Sequence, residues 1–187
     1  MKALRAIFVI CLAGLAVSGA ADADILLGVA GPLSGQYANL GQQMLIGAQA
    51  AVDAINARGG VAGQSLQIMS LDDGCDNRQA EDVAQKFVDA KVSGVIGHYC
   101  SNAALAAAKI YERAGVIVLA PVASQPALTN SGLSNVIRIA SRDDMQGAFA
   151  AARIIQKRAN ARIALLIDCT SPNQAHAPHL GRALGRP

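Results

Sequence analysis

The chain has 187 residues, a formal net charge of +3 at pH 7, 52% hydrophobic and 16% charged residues, 3% aromatic residues and no tryptophan. The positive charge is spread along the chain with neither a basic block nor interleaved aromatics, which excludes a nucleic-acid surface. The low charged fraction and strong apolar periodicity exclude a disordered chain and fit a domain of ordinary size with its own core.

Lys2 and Arg5 open the chain, residues 6–17 are apolar, and Ser18-Gly19-Ala20 followed by Ala21-Asp22-Ala23 supplies the small residues that a signal peptidase needs. Residues 1–23 are therefore expected to be an export signal. An apolar run of about 12 residues is short of the roughly 20 that cross a bilayer. Cys11 follows the bulky Ile10 where a lipidation signal wants a small residue. A soluble, exported product of about 165 residues is expected, long enough for one domain.

From Asp24 onward, short β-rich runs alternate with longer helical ones. Residues 25–30 predict a buried strand ending in the turn Gly31-Pro32-Leu33-Ser34-Gly35; Met44, Leu45, Ala48, Ala51, Val52 and Ile55 then recur at helical spacing until Gly59-Gly60. Residues 66–71 predict a second strand with Asp72-Asp73-Gly74 as its exit turn. Asp76 and Gln79 have cap spacing for a helix that buries Ala80, Val83, Ala84, Phe87 and Val88. Residues 92–97 predict strand three, residues 102–113 helix three, and residues 116–120 strand four, closed by Pro121. Residues 136–139 predict a short extra strand. Ser141 and Asp144 have capping-box spacing for a helix with Met145, Phe149, Ala152 and Ile155 on its apolar face, and residues 163–167 predict another strand. This alternation predicts an α/β fold, a parallel sheet with helices on both faces. Residues 169–187 show no sustained periodicity where a crossover to a further parallel strand is needed.

The chain has four cysteines. Cys11 leaves with the signal, so Cys75, Cys100 and Cys169 remain, an odd number for an oxidising compartment. A Cys75–Cys100 bridge would join two neighbouring strand-to-helix connections and stabilise by about 3 kcal/mol on the chain-entropy model. Two buried free thiols are the alternative.

Open parallel sheets bind ligands at the carboxyl ends of their strands, so the strand exits are the positions to read. Three stand out: residues 31–35, residues 98–102 and residues 120–126. Ser101 falls where helix three begins. A hydroxyl there, beside unpaired backbone N–H groups and the positive end of a helix dipole, can hold a carboxylate without an arginine. A plain helix cap is the competing role. Ser124 and the carbonyl of Val122 can engage an amino-acid head group or merely satisfy the turn between Pro121 and Pro126. Converging at one sheet edge, these groups are expected to form a ligand site.

Other chemistries find little support. Gly28, Gly31 and Gly35 do not spell a dinucleotide fingerprint, no phosphate-binding P-loop occurs, and no cofactor is indicated. Asp72, Asp73 and Asp76 lack an EF-hand pattern and read as a solvated turn and helix cap; His98, His176 and His179 are too scattered for a metal site. His98 reads as a satisfied strand-end imidazole. Ser101 has no paired base in the sequence, so a secreted serine hydrolase is the weakest of the candidate functions.

Several ordered blocks resemble the periplasmic leucine/isoleucine/valine-binding family of type I receptors. They are residues 25–35 (ILLGVAGPLSG), residues 47–56 with Gly59-Gly60, residues 72–76 (DDGCD), residues 95–101 (VIGHYCS), residues 110–112, 121–128 and 144–147, and residues 162–167. The resemblance covers about residues 25–168. It implies a two-lobed clamshell that closes on a zwitterionic amino acid, acts as a monomer in the periplasm, and docks to the membrane permease subunits of an ABC-type importer. It implies no enzymatic activity, and the same fold also serves sensors for amides, urea or aromatic acids. By position, the ligand carboxylate falls to Ser101, the head groups to Val122 through its backbone and to Ser124, and a disulfide to Cys75 and Cys100. Leu40 stands where the family often places a side-chain-pocket aromatic, with Tyr37 three residues earlier; Tyr99 stands where an aliphatic residue can occur and would reshape that pocket. On this reading residues 24–140 are lobe one, residues 141–168 begin lobe two, and residues 169–187 are a divergent tail of the kind a frameshift or truncation produces. A protein lacking most of lobe two is expected to bind weakly.

Overall fold

The computed structural model describes residues 24–158, 163–164 and 181–182. The elements follow the predicted alternation: β1 (Ile25–Gly31), a 3-10 turn (Gly35–Tyr37), α1 (Ala38–Asn56), β2 (Leu66–Asp72), α2 (Asn77–Asp89), β3 (Gly94–Gly97), α3 (Ser101–Arg113), β4 (Ile117–Ala120), a single helical turn α4 (Ala127–Asn130), β5 (Val136–Arg138) and α5 (Asp143–Lys157). The five strands form one sheet in the order β2-β1-β3-β4-β5. Every pairing is parallel. The fold is therefore the α/β arrangement read from the sequence.

The strand order reverses direction between β1 and β3. Because β-α-β crossovers are right-handed, α1 falls on one face, while α2 and α3 fall together on the other. The core on the α2/α3 face gathers Ala30, Val95 and Val118 from the sheet with Ala80, Val83, Ala84, Phe87, Ala103, Ala107 and Tyr111 from the helices. The small residues of α3 let the helix lie close against the strands. At Gly28, any side chain would run into the Phe87 ring. On the α1 face, Ala48 and Val52 are buried, and the Asn56 side chain both donates to the Leu66 carbonyl (2.9 Å) and accepts from its N–H (2.8 Å), fixing the end of α1 to the start of β2.

Four local expectations are corrected. Ala51 is exposed, because α1 turns a narrower stripe to the sheet than its periodicity indicates. Asp73 is not in a solvated turn but fully buried. Ser141 does not cap α5: the cap position is Arg142, whose guanidinium instead pairs with Asp144 and Asn130. On α5 the predicted apolar face is turned outward, with Met145 64%, Phe149 75% and Ile155 48% exposed, and Ala152 exposed as well. Asp143, Gly147 and Ala151 are the residues that face inward. The start of α5 is tied to the β4 exit by the Asp143 N–H on the Ser124 carbonyl, a backbone contact indifferent to the apolar stripe of the helix. Ile163 and Ala164 lie outside regular structure; residues 165–167 of the predicted strand, the export signal, and Cys169, His176 and His179 lie outside the described residues.

Candidate functional site

All strand exits lie along the carboxyl edge of the sheet, and the crevice between β1 and β3 is its switch point, where open α/β sheets bind ligands. The exits are wired to one another. Asp72 accepts from the Leu33 N–H (2.7 Å) and the Gly74 N–H (2.9 Å), joining the exits of β1 and β2. The Asp73 N–H donates to the Gly31 carbonyl, and the Asp73 side chain accepts from the Cys75 N–H (2.9 Å). Asp76 caps α2 through the N–H groups of Arg78 and Gln79. Each carboxylate of the acidic cluster is therefore engaged by backbone donors, which accounts for the cluster without a cation.

Burial pushes the Asp72 carboxyl upward, but hydrogen bonds from the Ser34 side chain and from the Leu33, Gly74 and Ser34 N–H groups outweigh it and hold the group below the usual carboxylate range. A depressed folded-state value stabilises above the unfolded value of about 3.9 and loses that contribution as pH falls through the folded value. In thermal melts below about pH 4, Asp72→Asn is therefore expected to show a shallower acid dependence than the parent. Identical slopes would remove Asp72 from the stability of the rim.

The β3 exit is held from both sides. The His98 ring is fully buried; its Nδ1–H donates to Asp73 at 2.6 Å, and its Nε2 accepts from the Tyr111 hydroxyl at 3.0 Å. Burial, and secondarily the negative charge of Asp73, pushes the Tyr111 phenol far above its ordinary value, so it keeps the proton it donates. Gly97, with φ of 135°, brings this exit so close to β1 that a side chain would collide with the Ala30 carbonyl. Two residues beyond His98, a Cys75–Cys100 disulfide (Cα–Cα 5.4 Å) ties the start of α3 to the β2 exit. The bridge is the one expected from the sequence. His98 is satisfied by Asp73 and Tyr111, and with both ring nitrogens engaged it is not a base for Ser101.

Ser101 and Ser124 are brought together. Ser101 is the first residue of α3, half-buried, and Cys100 occupies the cap position without a side-chain cap bond. The Ser101 hydroxyl does not cap its own helix. Its Oγ accepts the N–H groups of Ser124 (3.1 Å) and Gln125 (3.3 Å) from the β4 exit. Val122 is 37% exposed at the same edge, and Ser124 is half-buried. Tyr99 is half-buried beside the end of β1, where a side chain added at Gly31 would meet its Cβ at 3.5 Å. Leu40 is half-buried in the first turn of α1, adjacent to Gly41, which packs against Pro32. Leu40 and Tyr99 thus stand beside the β1 exit, and Ser101, Val122 and Ser124 stand at the β3 and β4 exits.

One participant escaped the sequence reading. Arg138, at the end of β5, donates through one guanidinium nitrogen to the carbonyls of Ser124 (3.3 Å) and Gln125 (2.9 Å) and through the other to Thr129. The Ser124 carbonyl also accepts the Asp143 N–H at 3.1 Å. A lone arginine ending a three-residue strand carries no local signal that would reveal this.

Residues 24–184 match the periplasmic binding protein family. The Leu/Ile/Val-binding protein of Escherichia coli is 40% identical over 181 residues, 96% of this chain and 48% of that protein. An amino acid binding protein of Pseudomonas aeruginosa is 37% identical over 168 residues, covering 89% of this chain and 44% of the relative. Among solved structures, the branched-chain amino acid transporter substrate binding protein of Streptococcus pneumoniae, in complex with isoleucine, superposes with a TM-score of 0.78 at 28% identity, over 87% of this chain and 47% of that one. The chain thus spans about half the length of these relatives. On the family match and on these identities, the chain belongs to the periplasmic binding protein family.

Proposed function

We propose that this chain forms the first lobe of the solute-binding component of an ABC-type importer, exported to the periplasm, and that its sheet edge grips branched-chain or related amino acids by their carboxylate. The observation that carries this reading is the state of the Ser101 hydroxyl. A hydroxyl has two lone pairs and one proton. Both lone pairs face N–H donors from the β4 exit, which leaves the proton as the remaining hydrogen-bonding function of the hydroxyl. What remains is donation outward, at the positive end of α3, toward an anion. Val122 and Ser124 stand at the same sheet edge, and on this reading the Val122 carbonyl and the Ser124 hydroxyl receive the ammonium group, while Leu40 and Tyr99, beside the β1 exit, line the space for the side chain. The names of relatives 37–40% identical support the amino-acid class. The permease subunits of the importer are the macromolecular partner that such a protein serves, approached as a monomer.

A rim that grips a solute from one side buries only part of it, so a dissociation constant above about 1 mM is expected. Calorimetric or NMR titration with leucine, isoleucine, valine, acetamide, urea and benzoate tests the class. The three branched-chain amino acids are expected to bind best, and Ser101→Ala to weaken them about tenfold, as loss of a hydrogen bond to a charged group implies. Preference for urea, acetamide or benzoate would transfer the site to the amide or aromatic-acid class. Submillimolar affinity for leucine would contradict a one-sided grip.

A further inference from the structure

We infer that Arg138 is a positioning residue for the ligand carboxylate, acting at a distance through the Ser124–Gln125 peptide and the Ser101 hydroxyl. This inference rests on the carboxylate assignment above. The guanidinium donates to the Ser124 carbonyl at 3.3 Å, and the N–H of that same peptide unit, on Gln125, donates to Ser101 Oγ at 3.3 Å. A peptide unit that receives a charged donor at its oxygen becomes a stronger donor at its nitrogen, and a hydroxyl that receives stronger donors becomes a better donor of its own proton. The chain of bonds therefore runs from a permanent cation, through one peptide and one hydroxyl, to the place where an anion would sit. The second contact, to the Gln125 carbonyl at 2.9 Å, and the anchor on Thr129 fix the fork and hold the turn in register with Ser101.

The surroundings make direct bonding the operative route. Arg138 lies near Arg142 and near Asp143 and Asp144 at the start of α5, so two cations face two anions and their long-range fields largely cancel. What survives cancellation is the polarisation passed along hydrogen bonds. Arg138 thereby supplies the positive character that the site needs while its own charge stays sheltered behind the β4 exit, half-buried and bonded to the turn. An arginine in direct contact would bind any small anion. A polarised hydroxyl and two backbone exits demand that the carboxylate sit in one orientation.

A double-mutant cycle decides the matter. Dissociation constants for leucine and for leucinol, which lacks the carboxylate, are measured by NMR titration for the parent, Arg138→Met, Ser101→Ala and the double variant, with thermal melts alongside. Arg138→Met is expected to weaken leucine about fivefold and leucinol less than about twofold, and to change the leucine-to-leucinol ratio no further once Ser101 is alanine. Arg138→Lys, which keeps a cation and one donor and guards against a folding defect in the methionine variant, is expected to fall between the parent and Arg138→Met. An unchanged ratio in both Arg138 variants, or an equal change in the parent and Ser101→Ala backgrounds, would overturn the relay while leaving the Ser101 site intact. A parent protein that does not distinguish leucine from leucinol would instead overturn the carboxylate site, and the relay with it.

Discussion

Replacing His98 with leucine is expected to destabilise the protein by about 3 kcal/mol, the upper end of the range for leaving a buried acceptor without its hydrogen-bond partner. The ring is fully buried, as is Asp73, and after the substitution Asp73 retains, among the described residues, the Cys75 N–H as its side-chain hydrogen-bond donor. A carboxylate left that way inside a core is costly because water cannot reach it and no donor replaces the imidazole N–H. Tyr111→Phe removes the other arm of the network, a neutral hydroxyl, and is expected to cost only about 1 kcal/mol. The ranking is informative. Thermal melts in which Tyr111→Phe falls further than His98→Leu would mean that core packing around α3, and not satisfaction of Asp73, dominates at this exit.

Removing the disulfide with Cys75→Ser and Cys100→Ser is expected to cost about 3.5 kcal/mol, from the loop-closure entropy of a bridge with a sequence separation of 25. For a domain of this size that lowers the melting temperature by roughly 10–15 °C. The bridge and the His98–Asp73 contact restrain the same pair of exits, since Asp73 holds the Cys75 N–H and Cys100 follows His98 by two residues. Their losses are therefore expected to be less than additive when combined. Full additivity, read from the melts of the triple variant, would show that the two devices act on separate parts of the structure.

Much of this architecture was legible in the chain. Runs such as ILLGVA and VIVLA, each followed by a turn and a helical period, placed the strand exits on one edge, and with them the proximity of Ser101 and Ser124. What stayed hidden depends on partners distant in sequence. Asp73 looks like its less buried neighbours Asp72 and Asp76, and it is the contact with His98, 25 residues on, that makes its burial tolerable. Arg138 reaches back 13 and 14 residues to carbonyls, and a carbonyl has no residue identity to read. The α5 helix shows a different limit. Its period identifies Met145, Phe149, Ala152 and Ile155 as sharing a face, but a period does not say whether another layer covers it. Ile117 and Ile137, on strands β4 and β5, are likewise more than half exposed.

The grip on a carboxylate at the sheet edge is tested most directly by following backbone amide shifts of the 187-residue chain during titration with leucine and, separately, with leucinol. The amides of Ser101, Ser124 and Gln125 should move together and saturate with leucine, and should move far less with leucinol at the same concentrations. Leucine-induced shifts that avoid these three amides, or equal responses to the two solutes, would contradict the proposed role of the Ser101 hydroxyl.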